Sequence, residues 1–142
     1  MNENFNKAFE FAMKFEGYKS DDLHDPGGRT IFGISARFWS AIVAELWDLP
    51  RAEAYEKARE FYRREYWLAA GCDQIPYPGD ILLFDAAVNL GVGRASAMHA
   101  VSRDYMDFLF RRIRYYNEIA TGKKIKFLRG WIRRVCDLWE EI

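Results

Sequence analysis

Along the first turns of the chain, apolar residues recur at spacings of three and four: Phe5, Ala8, Phe9, Ala12 and Met13. That is the pattern of a helix with one face buried. Glu16 extends the series, three residues after Met13 and four after Ala12, so a carboxylate is expected on the core-facing side of the helix end. Gly17 is expected to be the left-handed residue that closes the helix, leaving Glu16 in its last turn. Further on, Ile31, Phe32 and Ile34 predict a short strand broken by Gly33, after the turn sequence Asp25-Pro26-Gly27-Gly28. The expected result is a hairpin-like flap, carrying Asp25 and Thr30, folded back over the helix end.

The remaining pattern is almost entirely helical. Ser35 can cap a helix bearing Phe38, Ile42, Val43 and Leu46, with Trp39 and Trp47 beside that face. Leu49-Pro50 ends it, and Arg51 opens another through Tyr55, Ala58, Phe61, Tyr62 and Tyr66. Gly71 to Gly79, with Pro76 and Pro78, reads as a loop, after which Asp80 can cap a helix. From Ile81 to Val88 that helix is nearly all apolar, which predicts burial on most sides, and Gly91 and Gly93 are expected to end it. Helical spacing then runs from Arg94 to about Ala120, with a turn at Gly122. A last helix carries Leu128, Trp131, Ile132, Val135, Leu138, Trp139 and Ile142, opposed by Arg129, Arg133 and Arg134. The fold class expected is mainly α, a single helical domain over 1–142 in which a buried helix is wrapped by others and a small flap shapes a cleft.

Chemistry enters through Glu16. A carboxylate on an apolar stripe needs a partner or a task. Partial burial and the negative end of a helix both disfavour its charged form, so its pKa is expected above the reference of about 4.3, as suits a general acid. Asp25 supplies a second carboxylate and Thr30 a hydroxyl. Two carboxylates flanking a bond are the minimum equipment for glycoside hydrolysis: one protonates the leaving oxygen, and the other activates water or attacks the sugar. The aromatic residues are first of all core, although Tyr66 and Trp67 could line a sugar groove. Asp85 and Asn89 share one helix face, either as buried polar groups tying loops to the core or as contacts to a sugar or the catalytic loop. His24 neighbours Asp25, and His99 reads as a core histidine. Cys72 and Cys136 are expected to be free, mostly buried thiols. No cluster has metal-ligand spacing, so neither metal nor other cofactor is expected.

Composition narrows the class. With 142 residues, 50% hydrophobic and 17% aromatic, the chain can bury a substantial core, which excludes general disorder. Its formal net charge of zero conceals an asymmetry. Residues 103–142 hold ten Lys or Arg against six Asp or Glu, a surplus of four matched by a deficit in residues 1–102. This basic C-terminal segment suggests an anionic partner, such as cell-wall polymer or membrane headgroups. Nucleic acid is the competing partner, disfavoured by neutral overall charge and by the lack of a recognisable binding motif. No apolar run approaches the ~18 residues of a membrane span, and MNENFNKAFEF lacks the basic start of a secretory signal. Synthesis in the cytoplasm is expected.

Glu16-Gly17, Asp25-Pro26-Gly27-Gly28, Thr30 and Phe32-Gly33-Ile34 together resemble the signature of the glycoside hydrolase family 108 lysozymes, N-acetylmuramidases of phages and bacteria. The resemblance continues through Tyr62 to Trp67, Asp85-Ala86-Ala87-Val88-Asn89-Leu90-Gly91 and Phe127-Leu128-Arg129-Gly130-Trp131, and so covers most of the chain. It implies a lysozyme-like fold and an endolysin-like cleavage of peptidoglycan glycan strands at the β-1,4 bond between N-acetylmuramic acid and N-acetylglucosamine. Glu16 would be the general acid. Asp25 would orient water or stabilise the cationic transition state, and Thr30 would help hold that water. Tyr18, Tyr66, Trp67, Asp85 and Asn89 would contact substrate. The wall would be reached by holin-type or other release. The sequence departs from the family pattern in having Tyr18 and Lys19 where a second glycine and then an aromatic usually follow, and in setting Thr30 one residue closer to Asp25. A non-catalytic wall-binding module of the same fold is the alternative from a different class.

Overall fold

The computed structural model of the chain describes residues 2–21 and 28–142. The expectations for Asp25 and His24 fall outside the described residues. The fold is mainly α with one small antiparallel sheet, and the chain gathers into two compact units, Asn2–Glu65 and Tyr66–Ile142.

In the first unit, α1 (Asn2–Met13) buries Phe5, Ala8, Phe9 and Ala12 as their spacing requires, and Phe11 as well. The sheet is β1 (Lys19–Ser20), β2 (Thr30–Ile31) and β3 (Ile34–Ser35), ordered β1-β2-β3, with Ile31 opposite Ile34 and Thr30 opposite Ser35. Phe32 belongs to the turn between β2 and β3 rather than to a strand. Ser35 caps α2 (Ala36–Trp47) as expected: its hydroxyl accepts from the Arg37 N–H at 3.2 Å, a contact worth about 1 kcal/mol. Val43 and Leu46 are buried, but Phe38 is 72% exposed. The reason is a kink at Trp39, whose backbone (φ −135°, ψ 47°) leaves helical values. Residues before the kink therefore lose phase with the buried face. The second half of α2 and α3 (Arg51–Tyr62) supply the remaining walls of an aromatic core. Phe9 lies 5.3 Å from Tyr55 and 5.6 Å from Tyr62, and Phe61 meets Trp39 edge-on at 5.0 Å.

After Tyr62 the helix widens into a π-helical turn over Arg63–Leu68. In the second unit a 3₁₀ turn (Cys72–Gln74) precedes α4 (Gly79–Leu90), which is buried from Asp80 to Ala87. Asp80 sits inside the first turn rather than at the cap, and its Oδ1 accepts from the Ile81 N–H at 2.8 Å. Gly91, at φ 87°, ends α4, while Gly93 already lies within α5 (Val92–Ala100). The long helix expected from Arg94 is two helices. Val101 to Asp104 break it, and Asp104 caps α6 (Tyr105–Ile119) by accepting from the Asp107 N–H at 2.8 Å. A 3₁₀ segment (Gly122–Phe127) leads into α7 (Leu128–Glu141). Helix α4 packs on α5 and α6, and α6 packs on α7.

Both cysteines are free, as expected. Cys72 is buried, and burial together with Asp80 and Asp73 pushes its thiol up to about 12. Cys136 is exposed, contrary to its expected burial, because it falls on the solvent side of α7.

Candidate active site

Glu16 lies beyond α1 rather than in its last turn. Three bonds, each to the carbonyl three residues back, carry the chain past Met13: Lys14 N–H to Phe11 O at 3.1 Å, Phe15 N–H to Ala12 O at 3.1 Å, and a longer one from Glu16 N–H to Met13 O at 3.4 Å. Gly17 does not take the left-handed conformation that the sequence suggested. Glu16 is nonetheless half-buried as a residue, and its carboxyl lies against the β2–β3 turn.

That turn has only two residues, Phe32 at φ 47° and Gly33 at φ 77°. Two positive φ values suit the right-handed twist of a tight hairpin, and Asn-Gly is the usual solution. A phenylalanine at the first position costs about 1 kcal/mol or more. The surrounding contacts offset that cost. The Phe32 N–H donates to Tyr18 O at 2.8 Å, and its carbonyl accepts the buried Tyr62 hydroxyl at 2.8 Å. Its ring packs on Tyr18 at 5.1 Å and edge-on against Tyr55 at 5.3 Å.

Gly33 explains where the Glu16 carboxyl is held. A Cβ on Gly33 would stand 2.5 Å from Glu16 Oε2, 2.7 Å from its carboxyl carbon and 2.7 Å from the Tyr62 hydroxyl. Carboxyl and phenol converge on the space that the glycine leaves open, so the turn acts as a rigid backing for the acid. Gly33→Ala is expected to lower stability by about 1–2 kcal/mol through the positive φ and the clash. Gly17→Ala, with nothing within 4 Å and no positive φ, is expected to change it little. Thermal unfolding of the two variants side by side checks this.

Thr30 is half-buried on β2, and its hydroxyl makes a long 3.4 Å bond to Gly28 O, leaving it available to another acceptor or to water. Tyr18 is half-buried beneath Phe32, with the Arg51 guanidinium 4.8 Å from its ring centre. Lys19 and Arg29 flank the Trp47 ring at 5.0 and 4.9 Å. This end of the first unit thus combines a carboxyl against the β2–β3 turn, a hydroxyl on the neighbouring strand and several cations held over aromatic faces. Among the described residues no group of His, Cys, Asp and Glu is arranged to hold a metal ion.

The second unit holds the other expected site residues, and two of them need correction as substrate contacts. Trp67 is buried against Phe84 at 5.7 Å, so it is core rather than groove. Asp85 is completely buried. Its Oδ1 accepts from Arg134 Nε at 3.0 Å and Nη2 at 2.7 Å, while Oδ2 lies 2.6 Å from Arg112 Nη2. That last approach is a close meeting of charges without hydrogen-bond alignment. Burial by itself raises the pKa of Asp85, but Arg112 and Arg134 outweigh it and hold the carboxyl below the usual carboxylate range. Arg112 Nε donates to the Tyr116 hydroxyl at 2.9 Å, and that hydroxyl donates to Asn89 Oδ1. Asp85 therefore acts as a buried polar group that ties α4 to α6 and α7, while Asn89, half-buried, joins α4 to Tyr116 on α6. Tyr66 is half-buried.

The glycosyl hydrolase 108 profile matches residues 9–91, more than half of the chain. The chain belongs to that family. The matched span of this glycosyl hydrolase 108 chain runs from within α1 to the end of α4 and contains Glu16, Thr30 and the Phe32-Gly33 turn. It also shares its fold with Brucella abortus SagA: the TM-score is 0.73 at 24% identity, over 99% of this chain and 94% of that one. Among curated proteins none matches it. Two features that hold the turn beside Glu16 have no mark in the sequence. Gly33 reads in the sequence as a strand break, and Phe-Gly is not one of the usual two-residue turn pairs, so the tight turn between Ile31 and Ile34 has no local mark. Tyr62 falls at helical spacing among core aromatics, and nothing in the spacing shows that its hydroxyl holds that turn.

Proposed function

We propose that the chain is an N-acetylmuramidase that hydrolyses the β-1,4 bond between N-acetylmuramic acid and N-acetylglucosamine in peptidoglycan, with Glu16 as its general acid. The observation that carries this reading is the Glu16 carboxyl seated against the Gly33 turn and Tyr62, in a chain of a glycoside hydrolase family. A fixed backing keeps such a carboxyl aimed at the bond it would protonate. In the reaction Glu16 gives its proton to the glycosidic oxygen as the bond from that oxygen to the muramic C1 breaks. The departing sugar leaves as a neutral alcohol. A water oxygen then bonds to C1 and releases its proton to solvent, with Asp25, in the role the family resemblance implies, orienting that water or stabilising the cationic transition state. Thr30, with a hydroxyl only loosely engaged at 3.4 Å, helps hold that water.

Mass spectrometry of the fragments released from purified peptidoglycan tests the bond assignment. The expected products carry N-acetylmuramic acid at the reducing end. N-acetylglucosamine there, or cleavage within the peptide stems, would contradict it.

A further inference from the structure

The basic C-terminal segment divides into three groups. Arg112 and Arg134 are buried on Asp85. Arg103 and Arg111 both pair with Asp107, at 3.3 and 2.9 Å, and Arg114 and Arg133 pair along their own helices with Glu118 and Asp137 at 3.4 and 3.7 Å. Lys123, Lys124, Lys126 and Arg129 are exposed on the 3₁₀ segment and the first turn of α7, and no acidic residue occurs from 119 to 136. Large apolar side chains stand exposed among these cations: Ile125 at 64% and Phe127 at 49%. On α7 the stripe Leu128, Ile132 and Cys136, at spacings of four, continues from Ile125 and forms with Arg129 and Arg133 an open groove of about 700 Å³. The opposite face of α7, through Val135 and Leu138, is buried.

We propose that this surface docks on an anionic phospholipid bilayer, with Ile125, Phe127 and the Leu128–Ile132 stripe entering the interface and Lys123, Lys124, Lys126 and Arg129 meeting the headgroups. Lysines beside exposed aliphatic and aromatic side chains on a two-faced helix are the features that interfacial binding uses. A soluble polyanion or wall polymer would reward the cations but gain nothing from a protruding isoleucine. A second copy of the same surface would bring like charges together. The proposal does not depend on the muramidase reading, since it concerns neither Glu16 nor the flap.

The test is co-sedimentation of the full chain with phosphatidylcholine vesicles, with and without phosphatidylglycerol. Partition is expected only when phosphatidylglycerol is present, and it should weaken as salt rises. Charge reversal of all three lysines (Lys123→Glu, Lys124→Glu, Lys126→Glu) is expected to reduce partition by about a hundredfold. Ile125→Ser is expected to reduce it by about tenfold without changing the thermal midpoint, because the side chain packs little in the fold. Ile125→Trp is expected to increase it. Equal partition on both vesicle types, or no partition on either, would overturn the proposal. So would binding to phosphatidylglycerol that ignores the Ile125 substitutions, which would make the surface a polyanion site.

Discussion

Asp85→Ala is expected to cost about 3–5 kcal/mol, a large share of the roughly 5–15 kcal/mol that typically holds a domain folded. The cost does not equal the worth of two ion pairs. It arises because removing the carboxylate leaves Arg112, fully buried on α6, without an ion-pair partner among the described residues, and takes from Arg134 the carboxylate that both its Nε and Nη2 bond. Arg112 already has a buried Nη1 without a hydrogen-bond partner in the structure, so it has little means of recovering the loss. Asp85→Asn, which keeps the shape and removes the charge, should fall nearly as far. Replacing Asp85, Arg112 and Arg134 together with apolar residues of similar volume should recover much of the stability, because no charge is then left stranded. Urea denaturation followed by circular dichroism separates these cases. A midpoint for Asp85→Ala close to that of the wild type would show that the arginines find water.

The same group fixes a pH dependence. The Asp85 pKa is lowered in the folded chain, whereas an unfolded aspartate titrates near 3.9. Its contribution is therefore fully present above about pH 4 and is lost as pH falls below that value through the lower folded pKa. Wild-type stability should show no loss from this group between about pH 5 and 8, and a decline in stronger acid that Asp85→Asn lacks.

How legible this was in the sequence differed by residue. The stripe Phe5, Ala8, Phe9, Ala12 was read correctly because helix burial repeats at a fixed spacing, and Ser35 was read correctly because its capping chemistry is local. The flap was legible as an idea but not in detail. Phe32 looks like a strand residue, and only the anchoring by Tyr18, Tyr55 and Tyr62, from elsewhere in the chain, lets it occupy a positive φ. The kink at Trp39 has no local mark, so helical spacing alone puts Phe38 in a core it does not enter. Arg112 and Arg134 belong by sequence to a basic segment, yet each falls on an apolar face: Arg112 between Phe108 and Tyr116, and Arg134 between Trp131 and Leu138. A cation on a buried stripe is as informative as the carboxylate at Glu16 was. The partner that explains both cations, Asp85, is an ion-pair link that spacing alone does not show. The break before α6 is marked by Asp104 and Asp107, three residues apart, although the helical period runs on through it.

Glu16→Gln is the second large expectation, and it bears on function alone. Glutamine fills the space beside Gly33 as glutamate does but cannot give up a proton to a leaving sugar. General acid catalysis is commonly worth 10²–10⁴-fold, so a loss of about a thousandfold in turnover is expected with folding unchanged. Gly33→Ala reaches the same acid by displacing it, so it should lower turnover by more than its loss of stability explains.

The central claim is tested most directly by measuring the fragments that wild type and Glu16→Gln release from the same purified peptidoglycan, alongside their thermal midpoints. The expected result is fragments ending in N-acetylmuramic acid from the wild type, almost none from Glu16→Gln, and matching midpoints. Equal release by both would remove Glu16 from the chemistry, while release by neither, with both proteins still sedimenting with the wall, would make the chain a binding module on a hydrolase fold.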